Sequence, residues 1–194
     1  DLRADEEWQT SSVALIDLED GQGACMNGTQ PMNASITGSL PEGRYRGIRF
    51  VVGVPFELNH ANPMTAQAPL DDAAMHWHWR SGYKFLRAGV DHVDDGFWIH
   101  LGSAGCEGTV QNISSCRFPN RVTVQIDDFV PDRHSIAVDL KALTADTDLL
   151  DGAATDCSSS PAEASCVAPF LSLGIDHASG AAGNTQSVFL SKAP

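Results

Sequence analysis

The sequence is poor in positive charge. Its 194 residues include 12 lysines and arginines against 25 aspartates and glutamates, which gives a formal net charge of -13 at pH 7. Such a surface repels a phosphate backbone, so we expect no nucleic-acid partner. No apolar run approaches the roughly 20 residues of a membrane-spanning helix, and residues 1–5 lack a signal-peptide pattern. We therefore expect no membrane span.

The motifs of several enzyme classes are missing. The chain contains no GxSxG, HExxH, GxxxxGK[ST] or GxGxxG, which argues against serine hydrolases, zinc proteases and the common nucleotide-binding folds. Three Asp-Asp pairs are present, and such pairs can bind calcium or act as acid and base, although in an acidic protein they usually cap turns or face solvent. They are Asp71-Asp72, Asp94-Asp95 and Asp127-Asp128.

Short apolar or alternating runs recur between Gly, Pro, Asn and Asp residues. This pattern is typical of an all-β fold, and 42% hydrophobic residues suffice for a core, so we predict one antiparallel β-sandwich domain over residues 1–194, with long ordered loops and little helix. The predicted strands cover residues 12–18, 34–40, 44–54, 84–90, 96–101, 121–129 and 135–140. Residues 187–190 are a possible closing strand. Residues 60–72, which include Pro63 and Pro69, are predicted to be a long loop with one helical turn.

The five cysteines indicate the redox compartment. Cys106 and Cys116 enclose one short loop, and Cys157 and Cys166 enclose another, so two local disulfides are the natural pairing. Closing each loop would contribute on the order of 2–3 kcal/mol. This pairing implies an oxidising compartment, whereas the alternative is five reduced thiols in a cytosolic protein. Cys25 is left over as a free thiol or the partner of a cysteine before residue 1.

Histidine and tryptophan are concentrated in one region. Five of the seven histidines lie in a 41-residue window that also contains three tryptophans, and neutral imidazole is a strong ligand for copper, zinc and nickel. Four of them are candidates, namely His60, His76, His78 and His100; the fifth is His92, and the tryptophans are Trp77, Trp79 and Trp98. Taken singly, each histidine is more often a hydrogen-bonded structural group, and tryptophan most often packs in a core.

The local conformation of residues 75–79 decides which side chains share a face. If the segment is extended, Trp77 and Trp79 point one way while His76 and His78 point the other. If it is a helical turn, His76 and Trp79 become neighbours instead.

Several motifs, taken together, resemble the MbnP family, the four-Cys partner of the "metallo-mystery pair", which is related in function to the methanotroph copper proteins MopE and CorA. The resemblance covers roughly residues 8–140. The motifs are WQ at 8–9, VALIDLEDG at 13–21, GVPFELNH at 53–60, MHWHWRSGYKFLR at 75–87 and HLGSAGC at 100–106.

The resemblance implies a periplasmic, cell-surface or secreted protein that binds one copper ion, as Cu(I) or Cu(II), in copper acquisition, storage or homeostasis. It also implies that Trp77 is oxidised to kynurenine by a di-haem partner enzyme of the MauG and cytochrome c peroxidase group (an MbnH-type enzyme). The protein would then be a substrate of that enzyme rather than a catalyst.

The family's motifs also imply a ligand set. His60, His76 and His100 map to the family's histidines, and Trp77, as kynurenine, supplies a ligand or a neighbouring group. His78 occupies the variable middle position of WxW and is a secondary candidate. Trp79 and Asn59 are expected beside the ligands.

Family members usually carry further strands and a cysteine before the point where this sequence begins, so we expect a segment to precede residue 1. Two alternative functions remain at this stage. One is a copper-dependent redox enzyme with an open coordination position, and the other is a secreted adhesion or carbohydrate-binding module that calcium stabilises.

Overall fold

The computed structural model describes residues 1–25, 28–91, 96–149, 156–183 and 185–193. It shows an all-β protein with several antiparallel sheets, which confirms the predicted fold class. The strands are β1 Ile48–Val52, β2 His76–His78, β3 Gly82–Asp91, β4 Gly96–Gly102, β5 Ala104–Thr109, β6 Asn112–Phe118, β7 Val122–Ile126, β8 Ser135–Val138, β9 Ile175–Asp176, β10 Ala181–Ala182 and β11 Phe189–Lys192.

The largest sheet has the order β2-β3-β4, with β3 and β4 antiparallel. Four further antiparallel pairs are formed by β1 with β7, β5 with β6, β8 with β11 and β9 with β10. Five of the predicted strands overlap β1, β3, β4, β7 and β8, and the closing strand overlaps β11. The alternation that predicts a strand is clear in β4 and β7, where buried apolar side chains alternate with more exposed ones.

Helices are short. The α-helices are α1 Phe56–Asn59, α2 Leu140–Leu143 and α3 Val167–Ser172, and 3-10 helices cover Gly23–Cys25, Pro63–Thr65 and Ala164–Cys166. The helical turn expected between residues 60 and 72 is therefore present. The Asp139 side chain accepts a hydrogen bond from the Ala142 amide at 2.9 Å, so it caps α2 and ends the segment that was predicted to remain a strand to residue 140. None of the described helices is long and apolar enough to cross a membrane.

Two compact units are present. The first contains Asp1–Gly43 and Ala61–His76, and the second contains Arg44–His60 and Trp77–Pro194. Whether the chain behaves as one domain remains a prediction.

The strands predicted at residues 12–18 and 34–40 in the first unit are wrong. These segments form only isolated bridges, such as Asp17 with Asn33. The side chain of Gln9 is buried and takes over the bonding, since its Nε2 donates to the Arg3 carbonyl and to Thr37, while its Oε1 accepts from the Thr37 amide. A side chain thus satisfies backbone groups that a continuous ladder would have paired.

The region between Cys106 and Cys116 was predicted as a loop, and the structure corrects this to the hairpin of β5 and β6. Cys106 and Cys116 are directly opposite in register, and a disulfide joins them. Gly105 and Gly108, both with positive φ, lower the β propensity of this sequence and concealed the hairpin. The disulfide between Cys157 and Cys166 is also present, as the sequence predicted.

In β4 the side chains alternate between two environments. Phe97, Ile99 and Leu101 are buried, whereas Trp98 and His100 are half-buried on the opposite face. This period of two places His100 beside Trp98 on the outer face of the three-stranded sheet.

Candidate metal centre

Trp77 lies in β2 with its indole against the backbone of β4. A Cβ atom built on Gly102 would lie 3.3 Å from Cε3 and 3.4 Å from Cζ3 of Trp77. The same Cβ would lie 2.9 Å from the Tyr83 carbonyl oxygen. The absence of a side chain at residue 102 therefore leaves the space that the benzene edge of the indole occupies.

His100 lies next to Trp77. The two ring centroids are 5.8 Å apart at an interplanar angle of 74°, and the Trp98 ring centroid lies 6.2 Å from that of His100. The guanidinium of Arg87 is 5.3 Å from the Trp98 ring. Two of the residues predicted for the site, 23 positions apart in the sequence, are thus brought together.

The backbone of His100 is held by the segment around the second disulfide. The His100 amide donates to the Cys157 carbonyl at 2.8 Å, and the His100 carbonyl accepts from the Ser159 hydroxyl at 2.7 Å. Ser159 is buried and also accepts from the Gly102 amide at 2.8 Å. The position of His100 therefore depends on residues 157–159.

The His100 imidazole favours its neutral form. Burial lowers the pKa of His100, the positive charges of Lys84 and Arg87 lower it further, and Asp156 opposes them. A neutral imidazole has a free nitrogen lone pair, which metal coordination requires.

His60 follows α1 and is packed between an aromatic ring and a sulfur atom. The Phe56 ring is 4.8 Å from the imidazole, and the His60 Nε2 atom is 3.3 Å from Cys116 Sγ. The Asn59 Nδ2 atom is 3.2 Å from the same Nε2. His60 therefore contacts the β5–β6 hairpin, a partner that no spacing in the sequence indicates.

Asn59 lies beside the Nε2 atom of His60. The Asn59 Oδ1 atom accepts from the Tyr83 amide at 2.8 Å, and Nδ2 donates to the Ser81 carbonyl at 3.1 Å, so the orientation of this buried amide is fixed. In the His60 tautomer that carries its proton on Nδ1, the Nε2 atom accepts the second Nδ2 hydrogen of Asn59.

The Nδ1 atom of His60 is buried and has no hydrogen-bond partner among the described residues. Burial lowers the pKa of His60, and a weaker interaction with the Trp79 backbone raises it. A buried polar atom without a partner costs about 1–3 kcal/mol, and such an atom often marks a site where a ligand binds.

His60 and Trp77 are both anchored at the start of β3. Asn59 bonds to the amide of Tyr83, and the Tyr83 carbonyl lies against Gly102, on which Trp77 packs. Gly82 has φ of +79°, and a Cβ there would collide with Asn59. The tight turn into β3 therefore positions Asn59, which contacts His60, and Tyr83, which lies against the glycine that contacts Trp77.

The other candidate histidines, His78 and His76, make contacts different from those of His60 and His100. His78 is exposed, its Nδ1 accepts from the Arg80 amide at 3.3 Å, and its ring is 5.4 Å from Trp79. The Arg80 guanidinium is 4.9 Å from the Trp79 ring. His76 begins β2, its amide donates to the Asp72 carbonyl at 3.2 Å, and it belongs to the first compact unit.

Comparison with known proteins identifies the family. The family model for MbnP matches residues 2–163. The chain belongs to the MbnP family. MbnP from Methylosinus trichosporium has a similar solved structure, with 28% sequence identity and a TM-score of 0.80, and the match covers 99% of this chain and 78% of that one. No curated protein sequence matches the chain.

Two groups in this MbnP-family protein bring three potential ligand atoms within 4.8 Å of one another. One consists of His60, Cys106 and Cys116, and the other of Cys157, Glu163 and Cys166. Such Cys/His groups could hold a metal ion, although a disulfide sulfur is a much weaker ligand than a thiolate. Neither group includes His76, His78 or His100.

The paired carboxylates form no comparable group in the described part of the MbnP-family chain. Asp71 and Asp72 line an open cavity of about 260 Å³ in the first unit, together with Trp8 and Asp17. Asp94 and Asp95 lie outside the described residues.

Copper suits the imidazole that lies beside Trp77, because His100 is disposed to be neutral. His60, which contacts the β5–β6 hairpin, is also disposed to be neutral. Imidazole ligands suit copper in either of its common oxidation states.

Proposed function

We propose that this protein binds one copper ion and serves copper acquisition, storage or homeostasis in the periplasm, at the cell surface or after secretion. The His100 imidazole beside Trp77 is the observation that carries the proposal, because a neutral imidazole next to the residue expected to be modified is suited to act as a ligand. His60 and His76 complete the proposed ligand set, with His78 as a secondary candidate. Trp79 and Asn59 are proposed to lie beside these ligands without binding the ion.

In this proposal Trp77 is oxidised to kynurenine by a di-haem enzyme of the MauG and cytochrome c peroxidase group. The Cγ–Cδ1 bond breaks, and two molecules of hydrogen peroxide deliver two oxygen atoms and leave as two waters, giving N-formylkynurenine. Hydrolysis then releases formate and leaves an aryl amine and a ketone. These groups offer a nitrogen and an oxygen that tryptophan lacks.

The packing of Trp77 is compatible with this change. Its contact with Gly102 is made through Cε3 and Cζ3, which belong to the benzene ring that survives the cleavage. The modified side chain can therefore keep its position on the sheet while its new polar groups form on the other part of the side chain. We assign the protein the role of substrate in this reaction, not catalyst.

Peptide mass spectrometry of protein produced with and without the di-haem enzyme tests the proposal. We expect kynurenine at residue 77 only with the enzyme, together with about one copper per chain by elemental analysis. Trp77→Phe should keep the fold, because volume and apolarity are largely retained, but should lose most of its copper.

Trp8→Phe is the matched control, since Trp8 is also half-buried but belongs to the first unit. It should retain wild-type copper. Equal copper in Trp77→Phe and wild type would refute the proposal, as would calcium bound in place of copper.

A further inference from the structure

We infer that the Cys106–Cys116 pair and His60 form a second, redox-gated metal site, which takes a soft ion such as Cu(I) once the disulfide is reduced. The site uses neither Trp77 nor its oxidation product, but it shares His60 with the copper centre proposed above, so it is tested on protein in which Trp77 is unmodified. In the oxidised protein the two sulfurs are bonded to each other, and the site is closed.

The hairpin keeps the two cysteines together without the disulfide. Cys106 and Cys116 are directly opposite in the antiparallel β5–β6 register, and the ladder continues on both sides of them. Directly opposite residues have Cβ atoms about 4.5–5.5 Å apart on the same face of a hairpin. Two thiolates at that separation can share one ion, because each metal–sulfur bond is about 2.3 Å.

His60 supplies the third ligand at the right distance. Its Nε2 atom is 3.3 Å from Cys116 Sγ, close to the separation of about 3.5 Å between two ligands of one ion with bonds of about 2.1 and 2.3 Å. All three donor atoms already lie within 4.8 Å of one another. The tautomer with the proton on Nδ1 leaves the Nε2 lone pair free for the ion, and only the contact with Asn59 must be given up.

The ligand types favour a soft ion. Two thiolates and one imidazole suit Cu(I) and Zn(II), whereas Cu(II) prefers nitrogen and oxygen ligands. Reduction would therefore change both the number of sites and the oxidation state of copper that the protein prefers.

The redox step is an exchange with a dithiol. A thiolate of the reductant attacks Cys116 Sγ, Cys106 leaves as a thiolate, and the second reductant thiol then releases Cys116 while the reductant closes to its own disulfide. The two cysteine thiols lose their protons when the ion binds. Cys116 is half-buried, while Cys157 and Cys166 are fully buried, so the hairpin disulfide should be reduced first.

The same imidazole cannot serve both sites at once. Binding through Nε2 requires the proton on Nδ1, whereas binding through the buried Nδ1 requires the proton on Nε2. Reduction of the hairpin would therefore withdraw His60 from the copper centre proposed above and place it in the dithiol site.

The test uses the full chain made without the di-haem enzyme. The protein is reduced with limiting phosphine, the phosphine is removed under anaerobic conditions, and alkylation with mass spectrometry identifies which cysteines are free. Cu(I) supplied as its bicinchoninate complex is then titrated. We expect the reduced protein to take up one Cu(I) more than the oxidised protein, in wild type and in Trp77→Phe alike.

Variants separate this site from the others. Cys106→Ser/Cys116→Ser should abolish the additional Cu(I), and His60→Gln should weaken it at least about tenfold, as expected for the loss of a direct ligand. His134→Gln replaces another half-buried histidine and should bind as wild type does. Retention of the additional Cu(I) in the double serine variant, unchanged affinity in His60→Gln, or no uptake on reduction would overturn the inference.

Folding is checked in the same samples. The far-UV circular dichroism of the reduced protein should keep its β signature, because the hairpin ladder holds the cysteines in register. Loss of that signature on reduction would also overturn the inference, since the site requires the folded hairpin.

Discussion

Three residues without a ligand role hold the candidate ligands in place. Gly102 leaves room for Trp77, Asn59 orients His60, and Ser159 fixes the backbone carbonyl of His100. Each acts by shape or by a hydrogen bond to a buried group, so its replacement should disturb both stability and metal binding. Gly102 allows the most direct test.

Gly102→Ala should destabilise the fold by about 1–3 kcal/mol, because the new methyl group would lie 2.9 Å from the Tyr83 carbonyl oxygen and against the Trp77 ring. Urea denaturation followed by tryptophan fluorescence measures the change. Gly183→Ala is the control, since nothing lies within 4 Å of the added atom there. If both variants lose the same stability, the close packing at Gly102 does not matter.

The two half-buried histidines, His60 and His100, predict a pH dependence. Burial lowers the pKa of His60 and His100 in the folded protein, so below the ordinary histidine pKa of about 6.5 the unfolded chain binds more protons than the folded one. The contribution of these groups to stability is complete above pH 6.5 and is lost as the pH falls towards the folded pKa values.

The free energy of unfolding of the metal-free protein, measured from about pH 7 to 5, should therefore decrease with falling pH. The double variant His60→Gln/His100→Gln should show a shallower decrease over the same range. An identical slope in the variant would mean that other groups cause it.

Some of these contacts could be predicted from the sequence and others could not. The proximity of Trp77 and His100 could be predicted, because both residues lie in motifs of one region and their strands both neighbour β3. The contact of His60 with Cys116 could not, because the residues are 56 positions apart and the contact depends on a hairpin that the sequence conceals. The role of Gly102 depends on its close contact with the Trp77 ring and the Tyr83 carbonyl, and the periodicity of the sequence does not indicate such a contact.

At the scale of elements, a strand could be predicted from the sequence where apolar and polar side chains alternate regularly along it. Strands β4 and β7 follow this alternation and were predicted, whereas the first unit replaces ladders with side-chain bonds such as those of Gln9 and Asn33. The hairpin of β5 and β6 uses glycine and polar residues on its exposed positions, so its strands lack an apolar face. A disulfide supplies part of the missing stability.

The two disulfides allow a matched comparison of elements. They close loops of nearly equal length, with sequence separations of 10 and 9, so the entropic term of about 2–3 kcal/mol is similar for both. Cys157 and Cys166 are fully buried, and the Cys157 carbonyl holds the His100 amide. We expect Cys157→Ala/Cys166→Ala to lose more stability than Cys106→Ala/Cys116→Ala.

Chemical denaturation under non-reducing conditions measures both losses. The buried pair should cost more because its removal leaves a cavity in addition to the lost cross-link. It should also weaken copper binding through His100. Equal losses would indicate that only loop closure matters, and a larger loss for the hairpin pair would contradict the prediction.

The whole molecule carries a large negative charge. A net charge of -13 on 194 residues favours the approach of cations, and it also destabilises the compact state through self-repulsion. Both effects weaken with salt, because the screening length falls from about 30 Å at 0.01 M to about 8 Å at 0.15 M. Stability should therefore rise with ionic strength over this range.

Calorimetry at 0.01 and 0.15 M sodium chloride should show an increase of the melting temperature by about 2–4 °C, which corresponds to about 1 kcal/mol for a chain of this size. Choline chloride at equal ionic strength is the control, because choline screens charge but is a poor ligand for oxygen sites. Equal increases in the two salts would identify screening as the cause. A larger increase with calcium chloride at the same ionic strength would instead indicate a specific cation site, with the carboxylates at Asp71 and Asp72 as its first candidates.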